Sequence, residues 1–189
     1  DYRPAPYIVD HVSLDIALHP SATEVTALLN IRRNPLAKTT TNTPLVLDGQ
    51  KLELLSVGVN DETLPKSAYA TDEKTLTISN PPAEPFTLEV KTTCNPEANK
   101  ALSGLYRSGA LYCTQCEPEG FRHITYYVDR PDVLATFRVR IEANAKEAPV
   151  LLANGNLTDA GKLPGGHHFA VWEDPFPKPS YLFALVAGP

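Results

Sequence analysis

Within the ten residues Thr114 to His123 lie an amide, two carboxylates, a guanidinium and an imidazole, bracketed by aromatic and apolar residues. No other segment of the chain is as dense in polar chemistry. On an extended backbone Gln115 and Glu117 are two apart and share a face. A carboxylate beside an amide oxygen makes an acceptor-only pocket, which suits a ligand with several N–H donors, such as an ammonium group. The plainer reading is a solvated loop. The residue chemistry alone carries both.

Other candidate chemistry is sparse. The three cysteines are Cys94, Cys113 and Cys116. An odd count makes a poor disulfide framework and favours a reducing compartment, so a cytoplasmic location is expected. Cys113 and Cys116 have knuckle or redox spacing, but no second Cys-x-x-Cys or His-x₃-His accompanies them. A redox pair normally opens a helix, whereas Cys116 runs into Glu117-Pro118-Glu119-Gly120. Structural thiols are the simpler reading, with a redox or metal role as the alternative. The histidines are His11, His19, His123, His167 and His168. The chain has no H-E-x-x-H, G-x-S-x-G, P-loop or G-x-G-x-x-G. His167 and His168 would face opposite ways on a strand and could not easily share one ion. Asn156-Leu157-Thr158 is a glycosylation sequon that matters only in a secreted protein.

Charge and composition narrow the function classes. The net charge is −5, which argues against nucleic acid or an anionic membrane as partner. No apolar run approaches the roughly 18–20 residues of a membrane span. At 189 residues the chain has the length of one domain, and residues 1–189 are read as a single β-rich unit. Eighteen prolines and ten glycines are hostile to long helices. The chain contains no Met and opens at Asp1, so a processed, trimmed or partial polypeptide is expected.

The elements that must position the polar segment follow a period of two. Val12, Leu14, Ile16 and Leu18 alternate with polar or small residues, as do Val25, Ala27, Leu29 and Ile31. The two runs are close enough to pair antiparallel. Short strands are also predicted at Leu45–Leu47, Leu55–Val59, Leu76–Ile78, Leu88–Cys94, Leu111–Gln115, Phe137–Ile141, Val150–Leu152 and Phe169–Trp172. Asn154-Gly155-Asn156 is a tight-turn signal. Tyr181–Ala187 is apolar on both sides and reads as a fully buried strand. The sole helical candidate is a turn near Pro131–Ala135. These features predict an all-β fold, an antiparallel sandwich or saddle. The run into Gly188-Pro189 without a polar tail leaves two readings, an ordinary terminal strand or a chain that continues into another domain.

At the polar segment a family resemblance adds to this. Thr114-Gln115-Cys116-Glu117-Pro118, closed by Arg122, resembles the T-Q-x-E-P signature of the zinc metallo-aminopeptidases of the aminopeptidase N family. His123 to Val133, Asn154-Gly155-Asn156, Trp172 to Gly188 and the opening Asp1-Tyr2-Arg3 with Tyr7 are similar to its bacterial branch. The resemblance implies the N-terminal β-saddle of such an enzyme, packed against a zinc-binding catalytic domain expected downstream. It implies that Gln115 and Glu117 bind the free α-amino group of a peptide and help form the pocket for its first side chain. Zinc would be held by H-E-x-x-H and a more distant Glu, accompanied by G-A/G-M-E-N. None of these is in the sequence, so no metal ligand or catalytic residue is expected here and the chain alone is expected to be inactive. The alternatives are a stand-alone β-module for binding or structure, and a Glu117 that merely pairs with Arg122 to shape its loop.

Overall fold

Alternate residues of the strand Thr23–Arg33 are buried, from Thr23 and Val25 to Leu29 and Ile31, while Glu24, Leu28 and Asn30 face solvent. This half-buried pattern recurs through the computed structural model, which describes residues 2–189. Asp1, which opens one of the similar stretches, lies outside the described residues.

In chain order the strands are β1 (Tyr7–Ala17), β2 (Thr23–Arg33), β3 (Leu45–Asp48), β4 (Glu53–Val59), β5 (Glu62–Thr63), β6 (Tyr69–Thr71), β7 (Thr75–Ile78) and β8 (Phe86–Cys94). They continue as β9 (Gly104–Ser108), β10 (Leu111–Gln115), β11 (Leu134–Asn144), β12 (Val150–Ala153), β13 (Asn156–Lys162), β14 (His167–Pro179) and β15 (Leu185–Gly188). The largest sheet runs β13-β14-β11-β1-β2-β8-β4-β5; a second runs β12-β15-β10-β9 and a third β3-β7-β6. Every pairing is antiparallel except β1 with β11, in which Val12 faces Phe137 and Ile16 faces Ile141. One apolar core draws on all three sheets, including Val9 and Leu14, Leu45 and Leu76, and Tyr112 and Leu185.

β1 starts earlier than the sequence alternation predicts. A bulge between Val9 and His11 resets the period, so Val9 and Val12 both point into the core. The helical turn expected at Pro131–Ala135 is instead a short turn leading into β11. β11 alternates strictly and is bonded on both sides, by β1 and β14, and that pairing outweighs a local helical preference. Single 3₁₀ turns lie elsewhere, at Lys66–Ala68, Phe121–His123, Pro164–Gly166 and Ser180–Leu182. The expectation of a fully buried strand at Tyr181–Ala187 is also corrected. Only Leu185–Gly188 is strand; Val186 is 42% exposed on the open face of the β12-β15-β10-β9 sheet, and Leu182, 49% exposed, lies in the 3₁₀ turn before it. Asn154-Gly155 does form a turn, but it passes the chain from β12 in one sheet to β13 in another. Pro175 and Pro177 continue β14. They sit where its ladder to β11 shifts between Asp174 and Lys178, beyond its pairing with β13, so no N–H is missed there.

Candidate functional site

Gln115 is the last residue of β10, opposite Gly104 of β9. Its neighbour Thr114 is tied to β15: the Leu185 N–H donates to Thr114 Oγ1 at 2.8 Å, and that hydroxyl donates to the Leu185 carbonyl at 3.3 Å. Beyond Gln115 the chain turns, and the Gly120 N–H closes the turn on the Cys116 carbonyl at 2.7 Å. The 3₁₀ turn Phe121–His123 follows. Cys116 and Phe121 are buried, and Phe121 packs edge-on against Tyr127 and Phe183 with ring centroids 5.0 and 5.2 Å away. The apolar residues of the loop thus anchor it in the core, and Gln115, Glu117, Pro118 and Glu119 are held in solvent.

Exposure alternates out, in, out across Gln115, Cys116 and Glu117. The Gln115 side chain is fixed by its own loop, because Nε2 donates to the Glu117 carbonyl at 3.1 Å. That bond uses the amide nitrogen and turns Oε1 away as an acceptor. Among the described residues the Glu117 carboxylate has no ion-pair partner, and it does not pair with Arg122. The loop therefore exposes an amide oxygen and a carboxylate two residues apart, both of them hydrogen-bond acceptors.

Arg122 is committed to other groups. Its side chain is 12% exposed, and Nε donates to Asp129 Oδ2 at 2.9 Å. Nη2 donates to the Asp129 carbonyl at 3.1 Å, while Nη1 lies 3.5 Å from Glu119 and 3.9 Å from Asp48. Burial works against the guanidinium charge, but the bond to Asp129 and the neighbouring carboxylates outweigh it and hold its pKa above the ordinary value. Asp48 is shifted upward by burial, and the nearby Arg122 charge offsets only part of this. His123 is also used within the fold, with Nδ1 2.9 Å from Ser103 Oγ and Nε2 3.3 Å from Gln50 Oε1. Burial lowers its pKa, with a further push from Lys51.

Sequence reasoning missed Asp48, Gln50, Asp129 and Ser180 around this loop. Asp48, Gln50 and Ser180 come from distant segments, and Asp129 lies seven residues past Arg122 with no spacing that marks it. The other sequence candidates are dispersed. His167 Nδ1 lies 3.4 Å from Glu142, and His168 Nε2 lies 2.7 Å from the Ala148 carbonyl. Burial pushes the Cys116 thiol up to about 12, the reverse of what a reactive thiolate needs. Among the described residues no group of three or more His, Cys, Asp or Glu side chains is arranged to hold a metal ion. No described helix is long and apolar enough to cross a membrane.

Residues 8–182 match the Peptidase M1 N-terminal domain. The chain belongs to this family. Across 188 residues it is 51% identical to Aminopeptidase N of Caulobacter vibrioides and 50% identical to Aminopeptidase N of Escherichia coli, covering all of this chain and 21% of each relative. The chain thus spans about a fifth of the length of these curated relatives. The crystal structure of Legionella pneumophila aminopeptidase A in complex with aspartic acid superposes with a TM-score of 0.93 at 41% identity, over all of this chain and 22% of that one. An M1 zinc metallopeptidase from Deinococcus radiodurans matches with a TM-score of 0.82 at 21% identity, over 97% of this chain and 43% of that one, a likeness of fold. The M1 N-terminal fold is therefore the scaffold on which β10 and the loop after it are displayed.

Proposed function

We propose that this chain is a single N-terminal domain of a zinc aminopeptidase acting on peptides, and that Gln115 and Glu117 bind the free α-amino group of the substrate beside its first side chain. The observation that carries the reading is the loop itself. Gln115 Nε2 is bonded to the Glu117 carbonyl, which leaves the amide oxygen free to accept, and the exposed Glu117 carboxylate two residues on has no ion-pair partner among the described residues, on a turn anchored by Phe121. The family membership and the aminopeptidase names of the relatives support the same reading.

The chemistry assigned to this chain is recognition. An α-ammonium carries a charge that an internal amide lacks, so a fixed carboxylate separates chain ends from chain interiors. Glu117 supplies the counter-charge and Gln115 a directional acceptor. Held at a fixed distance from the reacting centre, the pair would also select which peptide bond is presented. Metal chemistry would belong to a catalytic domain packed against this one, and the present chain alone is expected to hydrolyse nothing. The free cysteines suit a reducing, cytoplasmic setting.

The test is made in the full-length protein by comparing inhibition by an amino-acid-like amine with inhibition by its des-amino analogue. Wild type should prefer the amine, and Glu117→Gln, which keeps shape and removes charge, should lose about tenfold or more of that preference. An unchanged ratio would remove the ammonium role.

A further inference from the structure

Both ends of the Gln115–Glu117 loop are tied to one short stretch of chain. Before the loop, Thr114 exchanges two hydrogen bonds with Leu185. After it, Arg122 closes on Asp129 with its main chain as well as its side chain: the Arg122 N–H donates to Asp129 Oδ2 at 3.3 Å and Nε to the same oxygen at 2.9 Å. The other carboxylate oxygen, Oδ1, accepts from Ser180 Oγ at 2.5 Å. Ser180 opens the 3₁₀ turn that leads into β15, so Ser180 and Leu185 belong to the same segment.

We infer that Arg122, Asp129 and Ser180 form a positioning unit that sets the loop carrying Gln115 and Glu117 and locks it to the 180–185 segment. Asp129 and Ser180 are buried and the Arg122 side chain is 12% exposed, so they act through the loop. The geometry leaves little freedom. The Asp129 side chain is 2% exposed, both its oxygens are bonded, and its N–H donates to Asp48 Oδ2 at 3.2 Å. The Arg122 carbonyl accepts from the Gln50 N–H at 2.9 Å, which fixes the end of the loop from a third direction.

The charge argues for positioning over simple cohesion. A buried ion pair is a weak source of stability, because desolvation offsets the Coulomb gain. A fork of directional bonds on one carboxylate, however, admits one arrangement where an apolar contact would admit several. A recognition loop has that requirement, since a displacement of about 1 Å at a binding group can reduce turnover by about 10²-fold.

The inference rests on the proposed ammonium role only for its kinetic part, so the test has two readouts in the full-length protein. Asp129→Asn keeps shape and removes the charge; Ser180→Ala deletes one bond and is the milder change should the first fail to fold. Amide hydrogen exchange should speed up at residues 115–122 in both variants and stay unchanged in the β1–β2 ladder. The catalytic efficiency kcat/KM should fall about tenfold or more in Asp129→Asn and less in Ser180→Ala. Adding Glu117→Gln to Asp129→Asn should cost no more than the worse single change, because both act through one contact. Unchanged exchange in the loop overturns the positioning unit whatever Glu117 does. Full additivity overturns its link to Glu117. Should Glu117→Gln alone be kinetically silent, the ammonium reading fails and the exchange measurement decides the positioning unit by itself.

Discussion

A Cβ built on Gly120 would lie 2.1 Å from the carbonyl oxygen of Gln115 and 2.8 Å from the Cα of Cys116. Both obstacles are backbone, so no side chain can swing aside. Gly120 has φ −83°, which any residue adopts, so it is the close approach and not the dihedral that requires glycine. Gly120→Ala should therefore pry open the turn closed by the Gly120 N–H and the Cys116 carbonyl, displacing Gln115 and Glu117 together. A loss of about 1–3 kcal/mol in urea unfolding is expected, as for other overpacked sites. Gly109→Ala is the control. Its φ of +61° makes alanine strained, but the space around it is open and it lies away from the loop. Equal stability of Gly120→Ala and wild type would show that the turn has room for a Cβ.

Phe121 joins the loop to the core. Its ring is fully buried and meets Tyr127, Phe137 and Phe183 at centroid distances of 5.0, 6.0 and 5.2 Å. Truncation to Ala removes these contacts and leaves a cavity that β-strands cannot readily close, a cost of about 3–5 kcal/mol. Denaturant titration of Phe121→Ala measures it. A loss below about 1 kcal/mol would mean that the neighbours collapse into the space and the loop is not anchored there.

What the sequence made legible follows from where each signal resides. The alternation of Val25, Ala27, Leu29 and Ile31 reports burial directly, because a strand's period is local. The bulge at Val9–His11 breaks that period and concealed the start of β1. Of the strand pairings only β1 with β2, adjacent in sequence, was readable; whether Val150–Ala153 and Asn156–Lys162 form a hairpin or part company depends on β14 and β15, which come later in the chain. The site divided in the same way. Gln115 and Glu117 stand two apart and carry a signature, whereas Ser180 and Asp129 are 51 residues apart and meet only in the fold. The proline-rich end of β14 resembles a loop in sequence; the ladder shift at Pro175 and Pro177 and the end of the pairing with β13 make these prolines acceptable in a strand.

The two acceptors of the loop should differ in weight. Losing the Glu117 carboxylate removes a charge-assisted bond, worth about 1.5–3 kcal/mol, and more if the pocket is desolvated in the full-length protein. Glu117→Ala should then lower kcat/KM by about ten- to several-thousand-fold. Gln115→Ala removes a neutral acceptor and should cost about 0.5–1.5 kcal/mol. If the contact is equally strong in ground and transition states the loss appears in KM; if it aligns the scissile bond, kcat falls as well. A larger loss at Gln115 than at Glu117 would reverse the assignment of charge and direction.

The three thiols should be separable by reaction rate. Burial pushes both Cys94 and Cys116 up to about 12, so at about pH 8 almost no thiolate exists at either. Cys113, on β10, is half-buried. Titration of the native chain with a thiol reagent should show one fast thiol, lost in Cys113→Ser, and all three should react after unfolding. Fast reaction of Cys116 in the native state would reopen the redox reading of the Cys113–Cys116 pair.

The acid limb of stability should depend on Asp132. Arg130 donates to it twice, from Nε and Nη2 at 2.8 Å each, and the Tyr2 hydroxyl donates at 2.8 Å. The Arg130 bonds, opposed by burial and aided by Tyr2, lower the Asp132 pKa from 3.8 to about 2. A carboxyl depressed on folding is bound to fewer protons in the native state than in the unfolded chain. Its stabilisation is therefore complete above the unfolded value and is lost as pH falls through the folded one, between about 4 and about 2. Arg130 is 40% exposed, so solvent and salt screen the pair, and about 1 kcal/mol is the expected contribution. Asp48 works in the opposite sense. Its pKa is raised by burial, so protonation as pH falls through that value favours the folded state. In urea unfolding from about pH 5 to about pH 2, Asp132→Asn should thus start about 1 kcal/mol less stable than wild type, and the gap should narrow progressively toward the acid end. Curves that stay parallel throughout would show that the Arg130–Asp132–Tyr2 cluster contributes nothing to the pH dependence.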